Sequence, residues 1–243
     1  MTGRAWIALG ASSAGAVGFL VEGKTVKASA EAASEHDVLE RLTADNVPWL
    51  RVGDGVPDKT PCAVRPDAGL LLPGVEQEAP TGHMGGWTRL ALAGFLRTVP
   101  NWDGVVCIVE GDVTHWIHVS ADEIISFSSF LTLRLMASLG GSAPPDQNAI
   151  RDTQSRPERL ASDLRQAELT GRPGAITGHL VGAEMTAARV YWLGQQVMLI
   201  ASDPVAGIYA SALSELGITA AQMSLDTATE HGLSAMAHLI EGV

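Results

Sequence analysis

The pattern that most constrains the fold of this chain is a run of three strands followed by a helix, which occurs twice. Short glycine-containing or polar stretches separate the apolar runs and predict tight turns. The predicted strands are residues 6–9, 16–21 and 25–30 in the first copy and residues 105–109, 114–119 and 124–130 in the second. A repeated unit of this size predicts two similar lobes.

The rest of the chain extends this pattern into an α/β protein in which each lobe is a mixed sheet with flanking helices. A proline- and glycine-containing stretch near residues 100–104 predicts the boundary, with an N-terminal lobe of residues 1–100 and a C-terminal lobe of residues 101–243. Ser34 is a predicted helix N-cap, with Asp37 three residues later. Residues 48–52 and 62–64 are predicted parallel strands, and residues 175–188 a helix of small side chains suited to close packing.

The charge and composition of the chain exclude several kinds of partner. The net charge of -11 opposes the electrostatic attraction that dominates nucleic-acid binding, so no nucleic acid is expected. No apolar run approaches the roughly 20 residues that cross a bilayer, so no membrane partner is expected either. Cys62 and Cys107 lie far apart without histidines at ligand spacing, which predicts no disulfide framework and no metal site. A reducing cytoplasm fits this composition.

Two predicted hairpin loops correspond to functional loops of a known fold. Duplicated lobes of this kind occur in the actin-like, or ribonuclease H-like, ATPases and sugar kinases. In that fold ATP lies in the cleft, and the first hairpin of each lobe faces its phosphates. Hairpin amides and hydroxyls cradle the phosphates, and carboxylates hold magnesium, because phosphoryl transfer depends on positioning and charge cancellation. The corresponding loops here are residues 10–15 and 110–114.

Several landmarks in order resemble the 2-keto-3-deoxygalactonate kinase (2-dehydro-3-deoxygalactonokinase) family. Residues 176–184, Ile-Thr-Gly-His-Leu-Val-Gly-Ala-Glu, are similar to the family's Ser-Gly-x-Leu-Ile-Gly-Ala-Glu segment. Further similar segments are the Pro-Gly segment at residues 72–75, the second-lobe hairpin at 104–119, a Phe-x-Thr at 130–132, and the adenine-side strand and helix at 199–202 and 209–213. The resemblance covers nearly the whole chain and identifies it as a shortened and divergent member.

The resemblance implies an ATP-dependent kinase, with Mg²⁺, for a small-molecule 2-keto-3-deoxy sugar acid, and it leaves a homodimer open. By the same resemblance, the phosphates of ATP would be bound by Ser12, Ser13, Gly111, Asp112 and Thr114. The sugar acid would be bound by Thr132, Arg134 and Glu184.

The sequence also departs from the family where polar residues are needed. The first loop lacks the family's carboxylate, and the second keeps its glycine and tryptophan but loses its lysine, so Asp112 would repel phosphates. Glu110 and Asp112 are candidates to replace the missing carboxylate, and Arg134 to replace the cation; an ordinary turn at Gly111 and Asp112 is the competing interpretation. A second hypothesis is therefore a catalytically impaired homologue that binds a sugar acid or nucleotide as a sensor or partner subunit. A third is a structural dimer partner without a ligand.

Overall fold

The computed structural model describes residues 4–43 and 46–241 of the chain. Up to Trp102 the elements are β1 (Ala5–Ser12), β2 (Gly15–Glu22), β3 (Thr25–Ala32), α1 (Glu35–Leu42), β4 (Trp49–Val52), β5 (Asp58–Lys59), β6 (Cys62–Ala63), β7 (Leu71–Leu72), β8 (Val75–Gln77), β9 (Gly82–Met84) and α2 (Gly86–Thr98). The later strands are β10 (Gly104–Glu110), β11 (Val113–Ser120), β12 (Glu123–Phe130), β13 (Val197–Ile200) and β14 (Ala221–Met223). The later helices are α3 (Thr132–Ser138), α4 (Gln147–Ser155), α5 (Leu160–Leu169), α6 (Pro173–Ala187), α7 (Arg189–Trp192), α8 (Val205–Glu215) and α9 (Leu225–Glu241), with a short 3-10 helix at Pro157–Arg159 before α5.

The contacts of the chain define two compact units. Unit 1 contains the described residues up to Trp102, the segment Val119–Ser126 and the described residues from Asp226 onward. Unit 2 contains Asp103–His118 and Phe127–Leu225. The assignment of residues 1–100 and 101–243 to two actin-like lobes stays a prediction. The compact units differ from that simple division because the chain returns to unit 1 twice.

The main sheet of unit 1 has the strand order β3-β2-β1-β4-β7. The first three strands form an antiparallel meander, as predicted, and β4 and β7 continue the sheet in parallel to β1. The predicted parallel strand at residues 48–52 is therefore confirmed as β4. The predicted parallel strand at residues 62–64 is wrong, because β6 is two residues long and pairs antiparallel with the start of β12.

The core of unit 1 is built on the central strand of this sheet and on two helices. Residues Trp6 and Leu9 of β1 are fully buried, as are most apolar residues of α2. Helix α1 begins at the predicted N-cap, because the Ser34 hydroxyl accepts a hydrogen bond from the backbone N–H of Asp37. Its apolar residues Val38 and Leu42 are buried against the sheet.

The chain returns to unit 1 because α9 packs closely on α2. A Cβ added to Gly94 would stand 1.9 Å from the carbonyl oxygen of Ala228, and one added to Gly232 would stand 2.2 Å from that of Leu90. Only glycines allow two helix backbones to approach this closely. These glycines fix the end of the chain to unit 1.

A buried arginine organises the loop-rich region of unit 1 between α1 and α2. Arg89 is 1% exposed, and its guanidinium donates hydrogen bonds to the carbonyl oxygens of Ala63, Val64 and Pro73. It also forms an ion pair with Asp58 at 2.7 Å. The guanidinium therefore adds to the pairing of these short strands in holding the segments together, because a buried charge must be fully hydrogen-bonded.

A second sheet repeats the strand order of the main sheet of unit 1, and its six strands run β14-β13-β10-β11-β12-β6. Strands β10, β11 and β12 are joined by two-residue turns, and β13 and β14 extend the sheet in parallel to β10. The predicted repetition of a three-strand meander followed by a helix is thereby confirmed. All residues of β13 are buried, as expected of an interior parallel strand.

The helices of unit 2 are arranged around α6, the predicted helix of small residues. A Cβ added to Gly178 would stand 2.4 Å from the carbonyl oxygen of Asp146, and one added to Gly182 would stand 2.6 Å from that of Ile150. Helix α4 therefore lies directly on the glycine face of α6, which confirms the predicted close packing.

Within residues 4–43 and 46–241, no helix has the length and apolar character needed to cross a membrane.

Candidate functional site

The best-defined polar feature of unit 2 is a buried carboxylate, Glu184, on α6. Glu184 is 2% exposed and accepts hydrogen bonds from the Trp116 indole N–H through Oε1 and from the Tyr209 hydroxyl through Oε2, both at 2.8 Å. Thr132, at the start of α3, is a third hydrogen-bond partner of this carboxylate. One side chain thus links strand β11 and helices α3, α6 and α8.

The network continues from Tyr209 to the second hairpin. The Thr114 and Tyr209 hydroxyl oxygens are 2.7 Å apart, and both residues are fully buried. Because the single Tyr209 hydroxyl proton is donated to Glu184, Thr114 must donate its own proton to Tyr209. The Thr114 hydroxyl is therefore used inside the protein, where it anchors β11 beneath the hairpin turn.

Burial governs the protonation of this cluster. Burial raises the pKa of Glu184 above its ordinary value, and the hydrogen bonds from Thr132, Trp116 and Tyr209 oppose that rise. Burial and the nearby Glu184 carboxylate raise the pKa of the Tyr209 hydroxyl. The same two causes raise the pKa of the buried Cys107 thiol. Tyr209 and Cys107 are therefore neutral at physiological pH.

The turn of the second hairpin carries an ion pair at the surface. The Arg134 guanidinium donates two hydrogen bonds to the Asp112 carboxylate, from Nε at 2.6 Å and from Nη2 at 2.9 Å. The Arg134 hydrogen bonds lower the pKa of Asp112. Gly111 has a φ of 60°, which a two-residue turn with glycine in its first central position requires. Gly111 and Asp112 therefore form the ordinary turn that was one interpretation of this segment. The charge of the Asp112 carboxylate in this turn is neutralised by Arg134.

The first hairpin, in unit 1, is an exposed two-residue turn. The Ser12 hydroxyl accepts a hydrogen bond from the backbone N–H of Ala14 at 3.2 Å, whereas Ser13 is exposed at the tip. Trp87 of α2 donates its indole N–H to the Ala11 carbonyl oxygen at 2.9 Å and packs on Phe19. The turn is therefore held from one side by an aromatic residue and offers one uncommitted hydroxyl, that of Ser13.

Taken separately, each hairpin carries donors for a phosphate group rather than ligands for magnesium. Ser13 and the guanidinium of Arg134 are donors of the kind that bind phosphate oxygens. Magnesium needs carboxylate oxygens, but residues 10–15 contain none and the Asp112 carboxylate is bound to Arg134. In the part of the chain that the structure describes, no three histidine, cysteine or acidic side chains are placed to hold a metal ion. We therefore derive no step that depends on magnesium.

The structure joins five of the eight predicted site residues into two groups. Thr114, Thr132 and Glu184 meet in the buried network, and Asp112 pairs with Arg134. Their predicted roles in binding ATP or a sugar acid, and those of Ser12, Ser13 and Gly111, stay predictions.

Sequence reasoning assigned no site role to Tyr209 or Trp116, which complete the network. A buried tyrosine hydroxyl and a buried tryptophan indole N–H each need a hydrogen-bond partner. This requirement is the sequence signal that could have pointed to both residues.

The fold places the chain in a known class. A provisionally assigned 2-dehydro-3-deoxygalactonokinase from Sinorhizobium meliloti has the same fold with a TM-score of 0.81 and 21% identity, over 99% of this chain and 100% of that chain. The protein is a member of the fold class of sugar kinases and actin-like ATPases, with mixed sheets and flanking helices, as predicted.

Two further solved structures share the fold at lower similarity. The activator of 2-hydroxyisocaproyl-CoA dehydratase from Clostridium difficile, with bound ADPNP, matches with a TM-score of 0.53 and 11% identity, over 98% of this chain and 95% of that chain. Component A of (R)-2-hydroxyglutaryl-CoA dehydratase from Acidaminococcus fermentans matches with a TM-score of 0.54 and 14% identity, over 98% of both chains. At these identities the matches establish the fold alone.

Part of the chain is similar in sequence to a known family. Residues 147–236 match the sequence model of the 2-keto-3-deoxy-galactonokinase family. This segment contains α6 with Glu184, strand β13 and α8 with Tyr209. No curated protein matches the chain. Residues 147–236 are therefore similar to the 2-keto-3-deoxy-galactonokinase family, the family that the sequence landmarks resemble.

Proposed function

We propose that this sugar kinase-like protein phosphorylates a 2-keto-3-deoxy sugar acid with ATP as the phosphoryl donor. The family match and the kinase fold support this proposal. The structural observation that carries it is the convergence on Glu184. Its partners Trp116, Thr132 and Tyr209 come from three other segments that resemble the family.

In this proposal the chain acts by positioning and by charge neutralisation, which are the main contributions of a protein to phosphoryl transfer. ATP supplies the phosphoryl group, and a hydroxyl oxygen of the sugar acid forms the new bond to phosphorus as the bond to ADP breaks. The Ser13 hydroxyl and the Arg134 guanidinium bind phosphate oxygens. Glu184 is a positioning residue, because its carboxylate fixes the strand and helix that carry Thr114 and Thr132.

A second candidate function is binding of nucleotide or sugar acid without turnover. The observation that favours it is the state of the acidic groups near the hairpins. The first hairpin has no carboxylate, and the carboxylate of Asp112 is neutralised by Arg134 at 2.6 Å. These groups leave hydrogen-bond donors for an anion, whereas residues 10–15 offer no acidic side chain and Asp112 is already ion-paired. This candidate describes a sensor or partner subunit.

Calorimetric titration followed by a turnover assay distinguishes these candidates. The protein is titrated with ATP in the presence of magnesium, and then with 2-keto-3-deoxygalactonate. The kinase proposal predicts binding of both compounds and release of ADP, detectable at a rate a thousandfold below the typical value of about 10 per second. Binding without ADP release would establish the second candidate instead. If neither compound gave heat on titration, both candidate functions would be rejected.

A matched pair of arginine variants tests the role of the second hairpin. Arg134 and Arg151 are similarly exposed, and each is paired with one carboxylate, Asp112 and Glu215 respectively. We expect Arg134→Gln to weaken ATP binding about tenfold, because it removes a charged donor, and Arg151→Gln to change it less than about twofold. Equal effects of the two substitutions would mean that net charge alone matters.

The predicted homodimer and cytoplasmic location stay predictions.

A further inference from the structure

Unit 2 contains a polar cavity of about 520 Å³ that the proposed function does not use. It lies among the end of α4, the 3-10 helix, α5 and the first half of α6, and three arginines, Arg156, Arg159 and Arg172, line it. For a chain with a net charge of -11, three guanidinium groups around one cavity are a local reversal of charge. This local positive charge indicates that the cavity attracts anions.

The three arginines differ in how far they are already neutralised. Arg172 forms an ion pair with Asp146, which also caps α4. Arg159 has one contact with Asp163, from Nη2 to Oδ1 at 3.3 Å, which leaves most of its donors unused. Arg156 has no ion-pair partner within the described residues. Two guanidinium groups are therefore able to donate to a ligand.

A buried histidine supplies a further polar group to the same cavity. His179 of α6 is 8% exposed and lines the cavity, and its Nδ1 is 2.8 Å from the hydroxyl oxygen of the fully buried Thr153. Because Nδ1 is engaged, Nε2 is the ring nitrogen left for a ligand. An anion favours the tautomer in which Thr153 donates to Nδ1 and the Nε2–H faces the anion.

The charge balance of the cavity selects the kind of ligand. Asp152 and Asp163 also line the cavity, so three arginines stand against two carboxylates. Asp163 is held by Arg159, which leaves Asp152 as the opposing charge. The exposed Gln166 side chain adds an uncharged donor. Convergent guanidinium, imidazole and amide donors are the usual groups that bind phosphate oxygens.

We infer that this cavity is a second anion-binding site, for a dianionic phosphate group that is free or carried as an ester. The site belongs to unit 2 alone and is separate from the hairpin residues Asp112 and Arg134. It therefore stands or falls independently of the kinase proposal. Arg156 and Arg159 provide the charge, and His179 is the buried donor that orients the phosphate.

Calorimetry with inorganic phosphate at fixed ionic strength tests the site. We expect saturable binding below about 10 mM, weakened about tenfold or more by Arg156→Gln, because a charged donor is lost. Arg165→Gln is the matched control, since Arg165 is an exposed, ion-paired arginine of α5 that does not line the cavity. This control should bind phosphate within about twofold of the unchanged protein.

Two further measurements complete the test. Addition of phosphate should shift the ring signals of His179 in a nuclear magnetic resonance spectrum along the same saturation curve. Glycerol 3-phosphate in place of inorganic phosphate separates the two sources of the ligand, because tighter binding of the ester indicates a phosphate ester and equal or weaker binding indicates free phosphate. No saturable binding of either compound, or equal phosphate binding by the Arg156→Gln variant, would overturn the inference.

Discussion

At the scale of single residues, Glu184 shows how burial changes the meaning of a polar side chain. In the sequence it is a glutamate in a predicted helix of small residues, and the family resemblance implies that it binds the sugar acid. In the structure it is buried and accepts hydrogen bonds from three side chains, without a cation beside it. An unpaired buried carboxylate favours its neutral form. Stability should therefore depend on its protonation.

The Glu184→Gln variant tests this dependence on pH. Burial raises the pKa of Glu184 above 4.5, so between the unfolded and folded pKa values the folded protein holds a proton that the unfolded chain has released. The free energy of unfolding then falls as pH rises through this interval. Since glutamine does not titrate, the stability of the unchanged protein relative to the variant should fall as pH rises from about 4.5. Urea unfolding from pH 4 to 8 measures it.

Removing the carboxyl group altogether has a different expected effect. The Glu184→Ala substitution leaves the buried indole N–H of Trp116 and the hydroxyl of Tyr209 without acceptors. Each unsatisfied buried donor costs about 1–3 kcal/mol, so we expect a loss of at least about 2 kcal/mol at all pH values. If the loss of stability relative to the unchanged protein did not vary with pH in either variant, the proposed effect of Glu184 protonation would be wrong.

At the scale of elements, the contact between α4 and α6 depends on glycines whose Cβ positions are already occupied. Gly178 and Gly182 lie one helical turn apart on the face of α6 that α4 covers. The close approach brings Thr153 of α4 to His179 of α6, at 2.8 Å. The packing of two helices thus builds one side of the phosphate cavity.

A pair of glycine substitutions separates packing from helix propensity. Gly182→Ala would place a Cβ 2.6 Å from the Ile150 carbonyl oxygen, and we expect it to destabilise the protein by about 1–3 kcal/mol through overpacking. Gly207 in α8 has no atom within 4 Å of its added Cβ. Gly207→Ala should instead stabilise the protein by about 0.5–1 kcal/mol. Thermal and urea unfolding measure both, and opposite signs are the expected result.

At the scale of the whole molecule, the chain repeats one sheet order in two compact units and then returns to the first. The orders β3-β2-β1-β4-β7 and β12-β11-β10-β13-β14 correspond strand by strand. Helix α9 belongs to unit 1, although it follows all of unit 2 in the sequence. Its buried residues Leu233 and Met236 contribute to the core of that unit.

Removal of residues 226–243 tests this assignment by hydrogen exchange. Without α9, helix α2 loses the surface that covers Leu90 and Gly94, so its amides should exchange at least about tenfold faster. Helix α6, in unit 2, should keep its exchange rates within about twofold. The single substitution Gly232→Ala should give a smaller change of the same kind in α2. Faster exchange in α6 with none in α2 would contradict the assignment of α9 to unit 1.

The sequence by itself determined the repeated meander, most element positions and the resemblance to a family. These features depend on local patterns, since alternating apolar residues and glycine-containing turns define strands within a few residues. The N-cap at Ser34 and the small-residue helix α6 were predicted for this reason. The sequence also singled out Thr114, Thr132 and Glu184, through their resemblance to family segments.

Only the tertiary structure decided how these side chains are used. Hydrogen bonds from Trp116 and Tyr209 to Glu184 join residues 68 and 25 positions apart, and Arg134 reaches Asp112 across 22 positions. Local sequence patterns carry no information on such distant pairs, because which side chains meet depends on how the elements pack. For the same reason the antiparallel pairing of β6, the return of α9 to unit 1 and the arginine-lined cavity became visible only in the folded chain.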